Sequence, residues 1–259
     1  MRRLAVIVVL IIAFVLTAQQ KPEDATRPAT PPEPPARRAV RGMRGAVAAG
    51  SDAALEAGMR TFHRGGNAVD AGVATMFAAS ISEYSHFGFG GEAPILIRAR
   101  DGRVWSIAGV GTMPKLATAE LFRSRTLRAG ETQTIEPGGL KNMVPVAGLM
   151  PALVPGMVDA GLVALKEFGT RSFADVIGPA IELADGMPID ETRANSIWRS
   201  RKFFELWPTS KAVFLRDGRQ PMPGDILVQK DLARTLRAMA DAEARALAAG
   251  AGRGAAIEA

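Results

Sequence analysis

The sequence contains no cysteine and only two histidines, His63 and His86, among its 259 residues. Without cysteine there is no disulfide framework, no thiolate metal site and no cysteine nucleophile. Two histidines leave little for a histidine-based metal centre, so neither a metal nor a cofactor is expected. Runs of one charge sign are also missing. The formal net charge is +6, but the Lys and Arg residues are scattered among 26 acids and form no stripe, which argues against a nucleic-acid partner. What remains is ordinary globular material. With 47% hydrophobic and 22% charged residues the chain can bury a core, and one large domain, or most of one, is expected.

The first forty residues read as addressing. Arg2 and Arg3 precede an apolar run from Leu4 to Ala18 that only Thr17 interrupts, the layout of a secretory signal. Residues 1–20 are therefore expected to be a signal peptide or an N-terminal membrane anchor. The run is short for a spanning helix, yet Leu16 stands where a cleavage site wants a small residue, so residues 4–18 as an uncleaved membrane tether remain an alternative. Either way the chain is expected to be exported, periplasmic or secreted. Residues 21–39 follow as a linker, with six prolines between Pro22 and Ala36, a composition that stays extended and packs no core.

From residue 40 to residue 259 the pattern becomes short elements closed by glycine. Ala53 to Phe62 has helical spacing, and Arg64-Gly65-Gly66 supplies the left-handed stop. Asn67, with Asp70 three residues on, predicts a capped helix from Ala68 to about Ile81. That helix is apolar nearly all round, so a central helix packed on a sheet is expected. The glycine-rich loop Ser85–Glu92 leads into Ala93–Arg98, read as a buried strand, and Asp101-Gly102 predicts a hairpin returning through Val104–Ile107. Helices are expected over Val158–Phe168, Phe173–Ala184 with Ser172 as cap, Glu191–Leu206 and Asp231–Leu247. The layout predicts an α/β or α+β layered fold with helices on a sheet.

Ser51-Asp52-Ala53-Ala54-Leu55-Glu56-Ala57-Gly58, Arg64-Gly65-Gly66-Asn67-Ala68-Val69-Asp70-Ala71, and Glu83 with Gly88-Phe89-Gly90-Gly91 together resemble the opening of the γ-glutamyltransferase family. Val154-Pro155-Gly156-Met157-Val158, Phe168-Gly169-Thr170, Ile177 to Ala184 and Gly224 to Ala233 are similar to later family blocks in the same order. The matches run from Ala46 to about Met239. Each block also has a plainer reading as helix punctuation. Gly88, Gly90 and Gly91 make either a close-packing turn or an anion cradle, and do not fit dinucleotide-binding spacing. His86 is either a packed or capping histidine or a site residue, and His63 suits the last turn of a helix.

The resemblance implies an N-terminal-nucleophile hydrolase with an αββα sandwich, of which this chain holds only the large-subunit part. Family precursors cut themselves to expose a threonine whose own α-amine can serve as its base, so no histidine is needed. That threonine and the oxyanion-stabilising amides belong to the small subunit. No segment here resembles the family's processing site, and Thr132-Gln133-Thr134 lies too early in the chain. No catalytic residue is therefore expected in this chain, which should be inactive by itself and should require a small-subunit counterpart with an N-terminal threonine. The resemblance also implies a small-molecule amide or peptide substrate, glutathione by default. The family reads the γ-glutamyl α-carboxylate with an arginine just after the second strand, and Val110 occupies that place. Val110, Gly111 and Thr112 are the candidate substrate-binding residues, and an acyl group other than γ-glutamyl becomes the expectation. A non-catalytic exported scaffold or binding protein that keeps the fold is the rival reading.

Overall fold

Helix α1 (Asp52–His63) starts where Ser51, in extended backbone, accepts a hydrogen bond from the Ala54 amide at 3.3 Å. It stops at a Schellman motif. The Gly66 N–H reaches Thr61 O at 3.0 Å, the Gly65 N–H reaches Phe62 O at 2.9 Å, and Gly65 takes φ +83°. Its buried face, Ala54, Ala57, Gly58 and Thr61, has the i, i+3, i+4, i+7 spacing of a helical stripe. Helix α2 (Ala68–Ser82) opens with a complete capping box formed by Asn67 and Asp70. The two helices pack tightly at Gly58, where a Cβ would lie 2.2 Å from Thr75 Oγ1.

The computed structural model describes residues 41–126, 149–216 and 218–259. Residues 1–20, expected to be a signal or anchor, residues 21–39, expected to be a linker, and Thr132-Gln133-Thr134 lie outside the described residues. Among the described residues no helix is long and apolar enough to cross a membrane.

Strands β1 (Ile95–Arg98) and β2 (Val104–Ile107) form an antiparallel hairpin with Ile95 opposite Ile107 and Arg98 opposite Val104. Its loop closes through Gly102 at φ +87°, and the Asp101 side chain accepts from the Arg103 amide at 3.0 Å. After α3 (Ala119–Ser124) come α4 (Met157–Phe168), α5 (Phe173–Asp185) and β3 (Met187–Pro188). Then follow α6 (Glu191–Arg199), α7 (Arg201–Phe204), α8 (Pro208–Phe214), β4 (Ile226–Leu227), α9 (Lys230–Ala248) and α10 (Arg253–Glu258). β3 and β4 pair antiparallel as a second small sheet. The result is a mixed α/β arrangement in which helices dominate.

Three expectations are corrected in detail. Helix α2 is buried, but it packs chiefly against α1, α4 and α5. The main core gathers Phe77 and Ile81 with Leu165, Phe173, Ile177 and Leu236, and only the inner face of the hairpin, Ile95, Ile97 and Ile107, adds to it. β1 is half-buried because a two-stranded hairpin covers a single face: Leu96, on the other face, is 76% exposed. The helix expected over Glu191–Leu206 is interrupted at Ser200, which leaves helical geometry at φ −90°, ψ 5°.

Two carboxylates brace the core. Asp70, fully buried, accepts from Asn67 N at 2.8 Å, Thr170 N at 2.8 Å, Thr170 Oγ1 at 2.7 Å and Arg171 N at 3.1 Å. Burial works against its charge, but the Thr170 hydroxyl and the amides of Asn67, Arg171 and Thr170 outweigh it and hold the carboxyl below its ordinary value. Glu243 on α9 is also buried. Its oxygens accept from Phe173 N at 2.7 Å and Ala174 N at 2.8 Å, while Ser172 takes the Asp175 amide at 3.1 Å. The free amides that open α5 are thus satisfied by a remote helix as well as by the local cap.

Candidate functional site

The glycine-rich loop, the segment after β2 and the segment before α4 meet through backbone hydrogen bonds. Gly91 N–H turns back to Gly88 O at 2.9 Å, and Gly91 O receives the amides of Gly156 at 3.2 Å and Met157 at 3.1 Å. Ala93 N donates to Gly109 O at 2.9 Å, and Val154 N donates to Thr112 O at 2.9 Å, an isolated antiparallel bridge. Helix α4 has no side-chain cap, so Gly91 O satisfies the first amides at its N-terminus.

Glycine is required where these segments touch. Gly109 takes φ +53°, and a Cβ there would stand 2.0 Å from Ala93 O. At Gly156 a Cβ would stand 2.6 Å from Gly109 O, and at Gly91 3.0 Å from Gly88 O. Of the two readings of the loop, the close-packing turn accounts for Gly91. Gly90 is exposed, with nothing near its Cβ position.

Val110, Gly111 and Thr112 therefore sit on a fixed strip of backbone. Val110 is 50% exposed, and Met113, Leu153 and Val154 add apolar surface nearby in the same strip and its bridge partner. Gly111 N donates to Glu92 Oε1 at 3.2 Å, which ties a carboxylate to the residue following Val110. A Cβ on Gly111 would meet Val154 O at 2.7 Å and Leu153 Cβ at 2.9 Å. Beyond Met113, a cavity of about 390 Å³ opens between Phe122 on α3 and Met150-Pro151-Ala152.

Among the described residues neither histidine hydrogen-bonds to this strip. His86 is exposed, its Nδ1 2.9 Å from Ser85 Oγ and its Nε2 3.5 Å from Glu83 Oε2. His63 is exposed in the last turn of α1. Among the described residues no three His, Asp or Glu side chains gather as a metal would require. The tie between Glu92 and Gly111 is not legible in the sequence, because it spans nineteen residues and follows no periodic pattern.

Comparison with known proteins gives consistent matches. A family model described as Gamma-glutamyltranspeptidase matches residues 54–251. The chain is 32% identical over 195 residues to a glutathione hydrolase proenzyme of Pseudomonas sp. (strain A14), covering 74% of this chain and 32% of that protein. It is 33% identical over 200 residues to an acylase ACY 1 proenzyme of Pseudomonas sp. (strain SE83), covering 77% and 35% respectively. Among solved structures, Helicobacter pylori gamma-glutamyltranspeptidase superposes with a TM-score of 0.70 at 29% identity, covering 79% of this chain and 56% of that one. The chain spans about a third of the length of the curated relatives it matches.

Proposed function

Because the chain belongs to the gamma-glutamyltranspeptidase family, we propose that it is the large-subunit part of an exported amidohydrolase or acyltransferase whose acyl-reading segment is Val110-Gly111-Thr112. On this reading residues 1–20 are the export signal or anchor, 21–39 the tether and 40–259 the large-subunit region. A small-subunit counterpart supplies the N-terminal threonine. Its hydroxyl attacks the amide carbonyl, its α-amine takes the proton, and the acyl group passes to water or an amine through a threonyl ester.

The observation that carries the specificity part is the rigid, uncharged presentation of Val110. The backbone on either side is locked by Gly109 and by the Thr112–Val154 bridge, so no neighbouring loop movement is needed to expose it. An isopropyl side chain offers no partner to an α-carboxylate, whereas an arginine offers two parallel hydrogen bonds. Absence of such a pair typically costs about 2 to 5 kcal/mol of recognition. The reading therefore favours an acyl group without an α-carboxylate over γ-glutamyl, in keeping with a relative named as an acylase.

N-terminal sequencing of the gene product isolated from its own cells tests the catalytic half of this reading. Two fragments, the smaller beginning with threonine, are expected. A single uncut polypeptide without amide turnover would favour the non-catalytic scaffold instead.

A further inference from the structure

Glu92 is exposed, yet it is not free to wander: Oε1 is held by the Gly111 N–H at 3.2 Å. Oε2 accepts no hydrogen bond from the described residues, which leaves one carboxylate oxygen available beside the acyl-reading segment. We propose that Glu92 is a specificity-determining residue that selects an acyl group bearing a cationic or N–H donor on an apolar stem and rejects one bearing a carboxylate. This rests on the reading of Val110-Gly111-Thr112 as the acyl-reading segment.

The physical case has three parts. A hydrogen bond from a backbone amide orients the carboxylate without neutralising it, so a full negative charge is presented at a defined place. Apolar side chains flank the Gly111 amide that holds it: Val110 and Val154 are half exposed, and Leu153 closes on Gly111 from the other side. An acyl stem lying there would displace water from the carboxylate and strengthen its interaction with any charge the stem carries. Another field at this place is the positive end of helix α4, which would favour an anion. That end is already answered. Gly91 O takes the amides of Gly156 and Met157, and Asp159 stands in the first turn.

Three p-nitroanilides of one stem length test this directly: 6-aminohexanoyl, hexanoyl and adipoyl, titrated calorimetrically into the 259-residue protein and its E92Q and E92K variants. The E92Q substitution is not expected to disturb the fold, since the amide oxygen it introduces still accepts the Gly111 N–H, and unchanged thermal unfolding checks this. The wild type is expected to bind in the order aminohexanoyl, hexanoyl, adipoyl, with about tenfold between neighbours for one charge-assisted hydrogen bond gained or one repulsion suffered. E92Q should bring the three within about twofold, and E92K should invert the order. If hexanoyl binds and neither the charge series nor E92Q changes affinity, the role of Glu92 is wrong while the apolar segment stands. If none of the three binds the folded protein, the acyl-reading segment itself is wrong and this inference falls with it.

Discussion

Asp70 and Thr170, one hundred residues apart, are joined twice: the Thr170 hydroxyl donates to Oδ2 at 2.7 Å and the Thr170 amide donates to Oδ1 at 2.8 Å. The same carboxylate caps α2 through Asn67, whose own side-chain amide reaches Phe168 O at 2.7 Å. One buried group therefore fixes both the start of α2 and the turn between α4 and α5. Gly169 makes room for it, since a Cβ there would lie 2.6 Å from Asp70 Oδ1.

Replacing Asp70 by Asn puts an NH2 group among amide donors and leaves at least one buried N–H unmet. The expected loss is about 3 kcal/mol of folding stability. Urea unfolding of wild type and Asp70→Asn checks it, with a lower midpoint at an unchanged slope expected.

The pH dependence follows from the direction of the Asp70 shift. Its folded pKa lies below the ordinary 3.8, so the stabilisation is fully present above that value and is lost as pH falls through the lower, folded pKa. The stability gap between wild type and Asp70→Asn should be constant from about pH 7 to pH 5 and narrow below about pH 4. Urea midpoints across that range are the measurement.

Glu243 makes a separate prediction. Ser172 caps α5 locally by accepting the Asp175 amide, but the Phe173 and Ala174 amides depend on α9. Glu243→Ala leaves both without a partner and should cost about 2 to 3 kcal/mol, whereas Glu243→Gln, which keeps one acceptor oxygen, should cost about half of that. Thermal unfolding of the two variants separates these outcomes.

Glycine positions give a matched pair of opposite sign. Gly109→Ala forces a Cβ to within 2.0 Å of Ala93 O at a left-handed φ and should destabilise the protein while disordering the Val110 strip. Gly72→Ala in α2 meets nothing within 4 Å and should raise stability by about 0.5 to 1 kcal/mol. Unfolding midpoints, with amide hydrogen exchange at Val110–Thr112, report both effects.

Local signals made much of this architecture legible in the sequence. Ser51, Asn67 with Asp70, Ser172 and Gly65 mark helix ends because a cap acts within three or four residues, and the Asp101-Gly102 turn marks the hairpin for the same reason. The all-round apolar α2 announced burial, but hydrophobicity alone does not say whether a helix or a sheet covers it. The second role of Asp70 and the reach of Glu243 join residues 100 and 70 positions apart, where no periodicity carries information. At the site, Val110-Gly111-Thr112 came from resemblance to a family pattern. What the structure adds is the lock around that strip and the carboxylate of Glu92 tied to it.

The central claim is that a valine on a rigid strip has replaced recognition of an α-carboxylate. It is tested most directly by kcat/KM of the processed enzyme, large and small subunits together, for γ-glutamyl-p-nitroanilide against hexanoyl-p-nitroanilide. A preference for the hexanoyl compound of about tenfold or more is the expected result. Equal or faster turnover of the γ-glutamyl compound would contradict it.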